Sequence, residues 1–333
     1  MKAVVYRKYG SPDVLGVEEV EKPAPTDDQI LIRIHAVSIN GSDMEGLAGK
    51  PLYARVRGLR RPGNPILGSD IAGTVEVAGK NVTEFKVGDE VFGEIPGYHG
   101  GLAEYVCTHG RTMALKPASL TFEEAAAIPQ GGAIALQAIG EKGRVQPGQK
   151  VLINGAGGSA GSFAVQLAKM YGAEVTGVDN AAKLEFMRSL GADHVIDYTR
   201  EDFTRNGEAY DLILDVVAHR SVFAYKRALA PGGRCLVVGG SVAVMVQILL
   251  LGGWIRRRWN RTVGVLMVPQ SREGLLAITE LCVAGKVLPV IDKRFSLSEA
   301  PEAFRYIAAG QAKGKVVVSM VALGERAESL GEG

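Results

Sequence analysis

Cysteine is scarce: the 333 residues hold three, Cys107, Cys235 and Cys282. They are scattered and form no C-x-x-C pair, which excludes a stapled extracellular scaffold and fits a reducing compartment. An excess of one charge is also missing. Lys plus Arg number 38 against 36 Asp plus Glu, a net charge of +2, so no global field draws the chain to nucleic acid or to an anionic membrane. No apolar run is long enough to span a bilayer, since the longest, near residues 242–251, has about 10 residues where about 20 are needed. The opening MKAVVYRKYG lacks the apolar core of a secretory signal, so a cytoplasmic location is expected. What remains is a globular composition, 47% hydrophobic and 22% charged, long enough for two domains.

The most informative stretch is VLINGAGGSAGSFAVQLAKMYGAEVTGVD, residues 151–179. Val151, Leu152 and Ile153 read as a buried parallel strand. Gly155, Ala156, Gly157, Gly158, Ser159, Ala160 and Gly161 then form a loop whose glycines let backbone approach a ligand that any Cβ would push away. Apolar residues at Ala164, Leu167, Ala168 and Tyr171 have helical spacing, so a helix opens on the loop and offers its N–H groups to a pyrophosphate. A second strand ends in Asp179, placed to accept hydrogen bonds from ribose hydroxyls. Ala156 stands where the G-x-G-x-x-G pattern has its first glycine, which requires that it hold a negative φ. Order and spacing together predict a dinucleotide site.

Residues 1–120 read as short strands at 3–6, 29–38, 71–78, 90–92, 103–107 and 113–116, separated by Gly, Pro and Asp turns, which predicts a β-barrel or sandwich. From Thr121 the pattern changes to alternating strands and helices, predicting an α/β, doubly wound parallel sheet with Asp215, Gly239 and Gly240 at strand ends facing a cofactor. Residues 242–261 combine an apolar run with Arg256, Arg257, Arg258 and Arg261. They read as a helix walling a pocket or a subunit interface, with interfacial membrane docking as the alternative. A nucleic-acid patch lacks supporting basic surface elsewhere. The final strand, near residues 315–320, can extend the parallel sheet or return to the first domain.

These motifs, with SINGSD (38–43), PILGSDIAGTVEVAG (65–79), VGDEVFG (87–93), GGLAEY (100–105), AAAIP (125–129), LGADHVIDY (190–198) and KGKVVV (313–318), resemble the medium-chain dehydrogenase/reductase superfamily, in its zinc-free quinone oxidoreductase-like branch. The resemblance covers nearly the whole chain. It implies a GroES-like β-barrel domain, residues 1–121 and 288–333, and a Rossmann domain, residues 122–287, with the last strand returning to the barrel. It also implies a homodimer. Zinc-dependent members place a cysteine where Asn40 stands, a His-Glu pair at Ser69 and Asp70, and a third ligand near Gln130, so no zinc is expected.

Without a Lewis acid, the expected substrates are quinones, enones and related carbonyls, whose conjugation spreads the charge left by hydride arrival. By position Asn40 and Asp43 match an active-site Asn-x-x-Asp: Asn40 would orient substrate or nicotinamide, while Asp43 can equally cap a helix near Met44. Tyr53, Tyr98 and His99 are candidate proton donors, each also readable as an ordinary loop residue. Lys315 matches a glycine-lysine pair near the family C-terminus and would approach cofactor phosphates, or stand in solvent. The cofactor is NAD(P)H, with NAD(H) favoured because Asp179 would repel a 2′-phosphate, an effect that Lys183 partly offsets. Two rival functions stand beside the reductase: a weakly active cofactor-binding scaffold, possibly membrane-associated, and an alcohol dehydrogenase.

Overall fold

The computed structural model describes residues 1–320 apart from Arg57 and Tyr98. In chain order the first elements are β1 (Lys2–Tyr6), β2 (Leu15–Glu19), β3 (Ile30–Ile39), α1 (Gly41–Ala48), β4 (Asp70–Ala78), β5 (Glu90–Glu94), β6 (Tyr105–Thr108), β7 (Met113–Leu115), α2 (Phe122–Ala127) and α3 (Pro129–Ala135). There follow β8 (Lys150–Asn154), α4 (Ser159–Met170), β9 (Glu174–Asp179), α5 (Leu184–Ser189), β10 (His194–Asp197), β11 (Tyr210–Asp215), α6 (Val222–Ala228), β12 (Leu229–Val237), α7 (Val242–Trp259) and β13 (Thr262–Val265). The chain closes with α8 (Arg272–Val283), β14 (Ile291–Ser296), α9 (Ala300–Ala308) and β15 (Lys315–Ser319).

Two compact units emerge, one of Met1–Gln130, Gln270–Val283 and the residues from Pro289 onward, the other of Gly131–Pro269 and Ala284–Leu288. In the first, a sheet runs β14-β15-β3-β4-β5-β7, with β6 on β3, and β1 pairs with β2. The expected strands at 29–38 and 71–78 become β3 and β4, paired antiparallel from Ile30 opposite Ala78 to Ser38 opposite Asp70. Ile30, Ile32, Ile34 and Val37 of β3 and Phe304 of α9 lie in one apolar core, as burial of branched side chains on a pleated face requires. Every residue of β15 is buried. Its antiparallel pairing with β3, Val316 opposite Ile39, resolves the open choice for the last strand: it joins the first unit.

The second unit is a six-stranded sheet in the order β10-β9-β8-β11-β12-β13. Every pairing is parallel, and the order reverses between β8 and β11, the position at which doubly wound sheets bind ligands. The apolar run Val151, Leu152, Ile153 is fully buried in β8, and Phe163, Ala164, Leu167 and Ala168 bury one side of α4. Residues 242–259 form one continuous helix, α7, capped by the Ser241 side chain and ended by Asn260 in the left-handed conformation.

The units depart from the boundaries expected at 121/122 and 287/288, because residues 122–130 and 270–283 fall in the first unit. Side-chain pairing accounts for this. Glu123 on α2 accepts hydrogen bonds from Arg294 Nε on β14, 2.6 Å, and Ser319 Oγ on β15, 2.5 Å, while Arg272 on α8 pairs with Glu84. Leu288, in contrast, donates its N–H to Gln166 Oε1 on α4 at 2.8 Å. Glu123→Ala leaves buried donors unpaired and should lower unfolding free energy by about 1–3 kcal/mol in urea denaturation. An unchanged midpoint would show that these bonds carry no net stability.

Candidate active site

Two sites can be built from the residues, one in each unit. In the second unit the chain leaves β8 through Gly155, whose φ of +87° lies in the left-handed region, and Ala156 is not among the residues of positive φ, the condition that alanine requires there. A Cβ on Gly161 would stand 2.1 Å from the Gly155 carbonyl oxygen. The first turn of α4 therefore lies directly on the loop, and only glycine fits. A Cβ on Gly157 would meet Lys183 Cδ at 2.6 Å and Asp179 Oδ2 at 3.0 Å. Gly158 is the N-cap of α4, with no side-chain cap, and Ser159 and Ala160 form its first turn. This bare glycine cradle at a helix N-terminus fits a dinucleotide pyrophosphate.

Asp179, at the end of β9, holds the loop from below. Its carboxylate accepts N–H groups from Gly157 at 3.1 Å and Asn180 at 2.8 Å, and Lys183 Nζ lies 3.4 Å from Oδ1, both side chains being 9% exposed. Lys183 thus neutralises the acid through a buried ion pair. Asp215 differs from its expected role. It is fully buried, and its oxygens accept from Asn154 Nδ2 (3.0 Å), Val217 N (2.9 Å), Ala218 N (2.7 Å) and Tyr225 Oη (2.8 Å). With its acceptors used internally, it shapes the strand-end turn and does not face a cofactor. Gly239 and Gly240 have φ of 70° and 100°, and a Cβ on Gly240 would lie 2.5 Å from Ala218 Cβ, so this glycine admits the Asp215 turn.

In the first unit the expected catalytic pair is enclosed. Asn40 is the N-cap of α1 and 3% exposed, and Asp43 is 1% exposed. Asp43 accepts the Asn40 N–H at 2.8 Å and the Gly68 N–H at 2.9 Å, half of a capping box that ties α1 to the turn before β4. It caps from the third helical position, not ahead of a helix at Met44. Asn40 Oδ1 accepts from Lys315 Nζ at 2.7 Å, and the Asn40 side chain also bonds Asp70. Both residues are corrected from catalytic to structural, because their polar atoms face protein.

Lys315 is corrected most sharply. Instead of reaching phosphates or solvent it is fully buried, bonded to Asn40 and 3.5 Å from Asp70 Oδ2. Gln130 extends the cluster, its N–H on Asp70 at 3.0 Å, its Nε2 on Glu94 at 2.8 Å and its Oε1 accepting from Ser42 Oγ at 3.0 Å. Burial pushes Asp70 up and Lys315 down, while each charge opposes the other's shift. Burial, with Asp70 second, pushes Glu94 up to about 8; burial raises Asp43 to about 7 against the two N–H groups it accepts. Asp70 and Glu94 escaped the sequence reading, although acids inside the apolar runs ILGSDIAG and EVFGE were the available signal.

Tyr53 sits on a short 3-10 turn, Leu52–Arg55. Its hydroxyl donates to the Glu45 carboxylate, 3.1 Å from either oxygen, and burial together with that charge pushes it up to about 12. Its proton is therefore directed to Glu45. Tyr98 lies outside the described residues.

The alcohol dehydrogenase GroES-like family matches residues 26–118 and the zinc-binding dehydrogenase family residues 190–318. The 2-methylene-furan-3-one reductase of Solanum lycopersicum is 36% identical over 330 residues, covering 96% of this chain and 79% of the relative. The chain belongs to the medium-chain dehydrogenase/reductase superfamily, in its quinone oxidoreductase-like branch. As such it is an NAD(P)H-dependent oxidoreductase. The NADPH-dependent alkenal/one oxidoreductase of Arabidopsis thaliana is 32% identical, covering 96% of this chain and 79% of the relative. The quinone oxidoreductase structure from Coxiella burnetii superposes with a TM-score of 0.86 at 29% identity, over 96% of this chain and 99% of that one. Zinc-dependent members of this superfamily hold the metal at the positions of Asn40, Ser69–Asp70 and the region of Gln130. The residues here do not fit zinc: they offer neither thiolate nor imidazole, and a buried ammonium is already bonded to two of them.

Two stability predictions follow from the cluster. Lys315→Ala should lower unfolding free energy by about 3–5 kcal/mol by stranding Asp70, with partial recovery in the Asp70→Asn double variant; an additive double variant would refute the coupling. Glu94, ordinarily near 4.5 and here about 8, keeps its proton in the folded state while the unfolded chain releases it. Its contribution is therefore present below about pH 4.5 and lost as pH rises toward 8. Glu94→Gln should remove on the order of 3 kcal/mol of that decline, read from urea midpoints at several pH values. Parallel pH profiles for the two proteins would contradict it.

Proposed function

We propose that the chain reduces quinones, enones or related conjugated carbonyls with NAD(P)H and without a metal. The observation that carries this reading is the intact glycine cradle, in which Gly161 admits no Cβ, in a chain whose remaining candidate metal position is filled by Lys315. When bound, the nicotinamide supplies hydride. The residues 155–161 hold its pyrophosphate on the α4 N-terminus, and Asp179 stands at the ribose. With no Lewis acid to steady an alkoxide, the chain suits acceptors whose oxygen is conjugated to the carbon that takes hydride, since the product enolate or phenolate spreads its charge and takes a proton from water. The names of the Solanum and Arabidopsis relatives, an enone reductase and an alkenal/one oxidoreductase, support the same class.

For the nucleotide, the reading is NAD(H) first. Asp179 favours ribose hydroxyls, and its ion pair with Lys183 moderates the repulsion of a 2′-phosphate enough for NADPH to compete. The alcohol dehydrogenase alternative requires an alkoxide to be stabilised, for which the site supplies no metal ligands.

Purified protein should oxidise NADH or NADPH against a quinone and enone panel, and should oxidise simple saturated alcohols with NAD⁺ or NADP⁺ at least about a hundredfold more slowly. Faster alcohol oxidation than enone reduction would overturn the assignment. Asp179→Ser should lower kcat/KM for NADH about tenfold and leave or raise that for NADPH; equal losses with both nucleotides would show that Asp179 only supports the loop.

A further inference from the structure

Helix α7 carries an inverted distribution of side chains. Its sheet-facing residues Val244, Ile248, Gly252 and Ile255 are buried, yet the opposite face is also apolar. Leu249 is 78% exposed, Leu250 75% and Trp254 51%, with Val242 and Val246 nearly half exposed. The spacing 242, 246, 249, 250, 254 puts all five on one helical stripe, about 18 Å long at 1.5 Å per residue. Phe223 of α6, itself 47% exposed, extends the stripe sideways, its ring 6.4 Å from that of Trp254.

The end of the stripe is basic. Arg256, Arg257 and Arg258 are exposed, and no ion pair engages them among the described residues. Lys226 lies 4.2 Å over the Trp259 ring, and Trp259 stacks edge-on against Trp254 at 4.7 Å. Neither residues 222–228 nor residues 242–261 contain an Asp or Glu. An exposed apolar stripe, a pair of tryptophans at its end and cations with no acid on the same surface have the composition of an interfacial helix. The occupant follows from the charge. A two-fold contact between copies would set this patch against itself, cation against cation, whereas lipid phosphates supply the missing anions and acyl chains cover the leucines. No helix among the described residues is long and apolar enough to cross a membrane, so the helix would lie in the surface.

We propose that α7 docks the protein on an anionic lipid membrane, with Leu249, Leu250 and Trp254 at the acyl boundary and Arg256–Arg258 at the headgroups. The inference stands apart from the reductase assignment, and its readout is binding, not turnover. The test is co-sedimentation with phosphatidylcholine vesicles and with phosphatidylcholine–phosphatidylglycerol vesicles, followed also by tryptophan emission and by light scattering of the free protein. Binding is expected on the anionic vesicles with a blue shift of emission. It should fall about a hundredfold in the Arg256→Gln/Arg257→Gln/Arg258→Gln variant and at least about tenfold in Leu249→Ser/Leu250→Ser. Both variants lie at exposed positions outside the nucleotide loop and should oxidise NAD(P)H at the parental rate. Absence of binding to either vesicle, or equal binding by parent and variants, would overturn the proposal. So would a dimer that Leu249→Ser/Leu250→Ser converts to monomer with no vesicle binding, which would make a second copy the occupant.

Discussion

The first unit depends on one buried charge. Lys315 reaches from the last described strand to Asn40 at the head of α1 and toward Asp70 at the head of β4, linking residues separated in sequence by 275 and 245 positions. A fully enclosed ammonium is costly unless it is paired and hydrogen-bonded. The surrounding polar groups answer that demand. Asp70 in turn holds the Gln130 N–H, Gln130 holds Glu94 and Ser42, and Asp43 ties the same helix start to Gly68. The local conformation of β4, α1 and the start of α3 is thus set by the need to satisfy one cation.

This arrangement connects packing to chemistry. In superfamily members that use zinc, the corresponding positions carry metal ligands; here the same part of the fold carries an amide, carboxylates and an amine. The site has exchanged a Lewis acid for an internal ion pair whose charge is consumed within the protein, and it projects no concentrated positive charge toward substrate. Acceptors that disperse negative charge by conjugation are the ones such a site can serve. In the second unit, by comparison, every distinctive feature is directed at a ligand: glycines where Cβ atoms would collide, a helix N-terminus free of side-chain caps, and an acid at the next strand end.

The sequence disclosed the two sites unequally. The loop from Gly155 to Gly161 was legible because its function needs contiguous residues with a steric rule, and the six-stranded parallel sheet follows from alternating strands and helices. The Lys315 cluster was not legible in the same way, since its members come from five separate stretches and nothing local marks a lysine in KGKVVV as buried. Asn40 and Asp43 were found by position in a motif but assigned chemistry that their enclosed polar atoms do not perform. Asp215 was misassigned for a related reason: a strand-end acid faces a ligand only when turn N–H groups and a buried tyrosine have not already taken its lone pairs. Residues 242–259 were readable as a helix, but which of its two apolar faces is buried required the fold.

The account's central claim is hydride transfer to a conjugated acceptor without a metal. Its most direct test is steady-state NAD(P)H oxidation against a quinone or enone, before and after exhaustive treatment with a strong zinc chelator and with zinc then restored. The account predicts the same kcat/KM in all three states. Loss of activity on chelation, recovered by zinc, would contradict it.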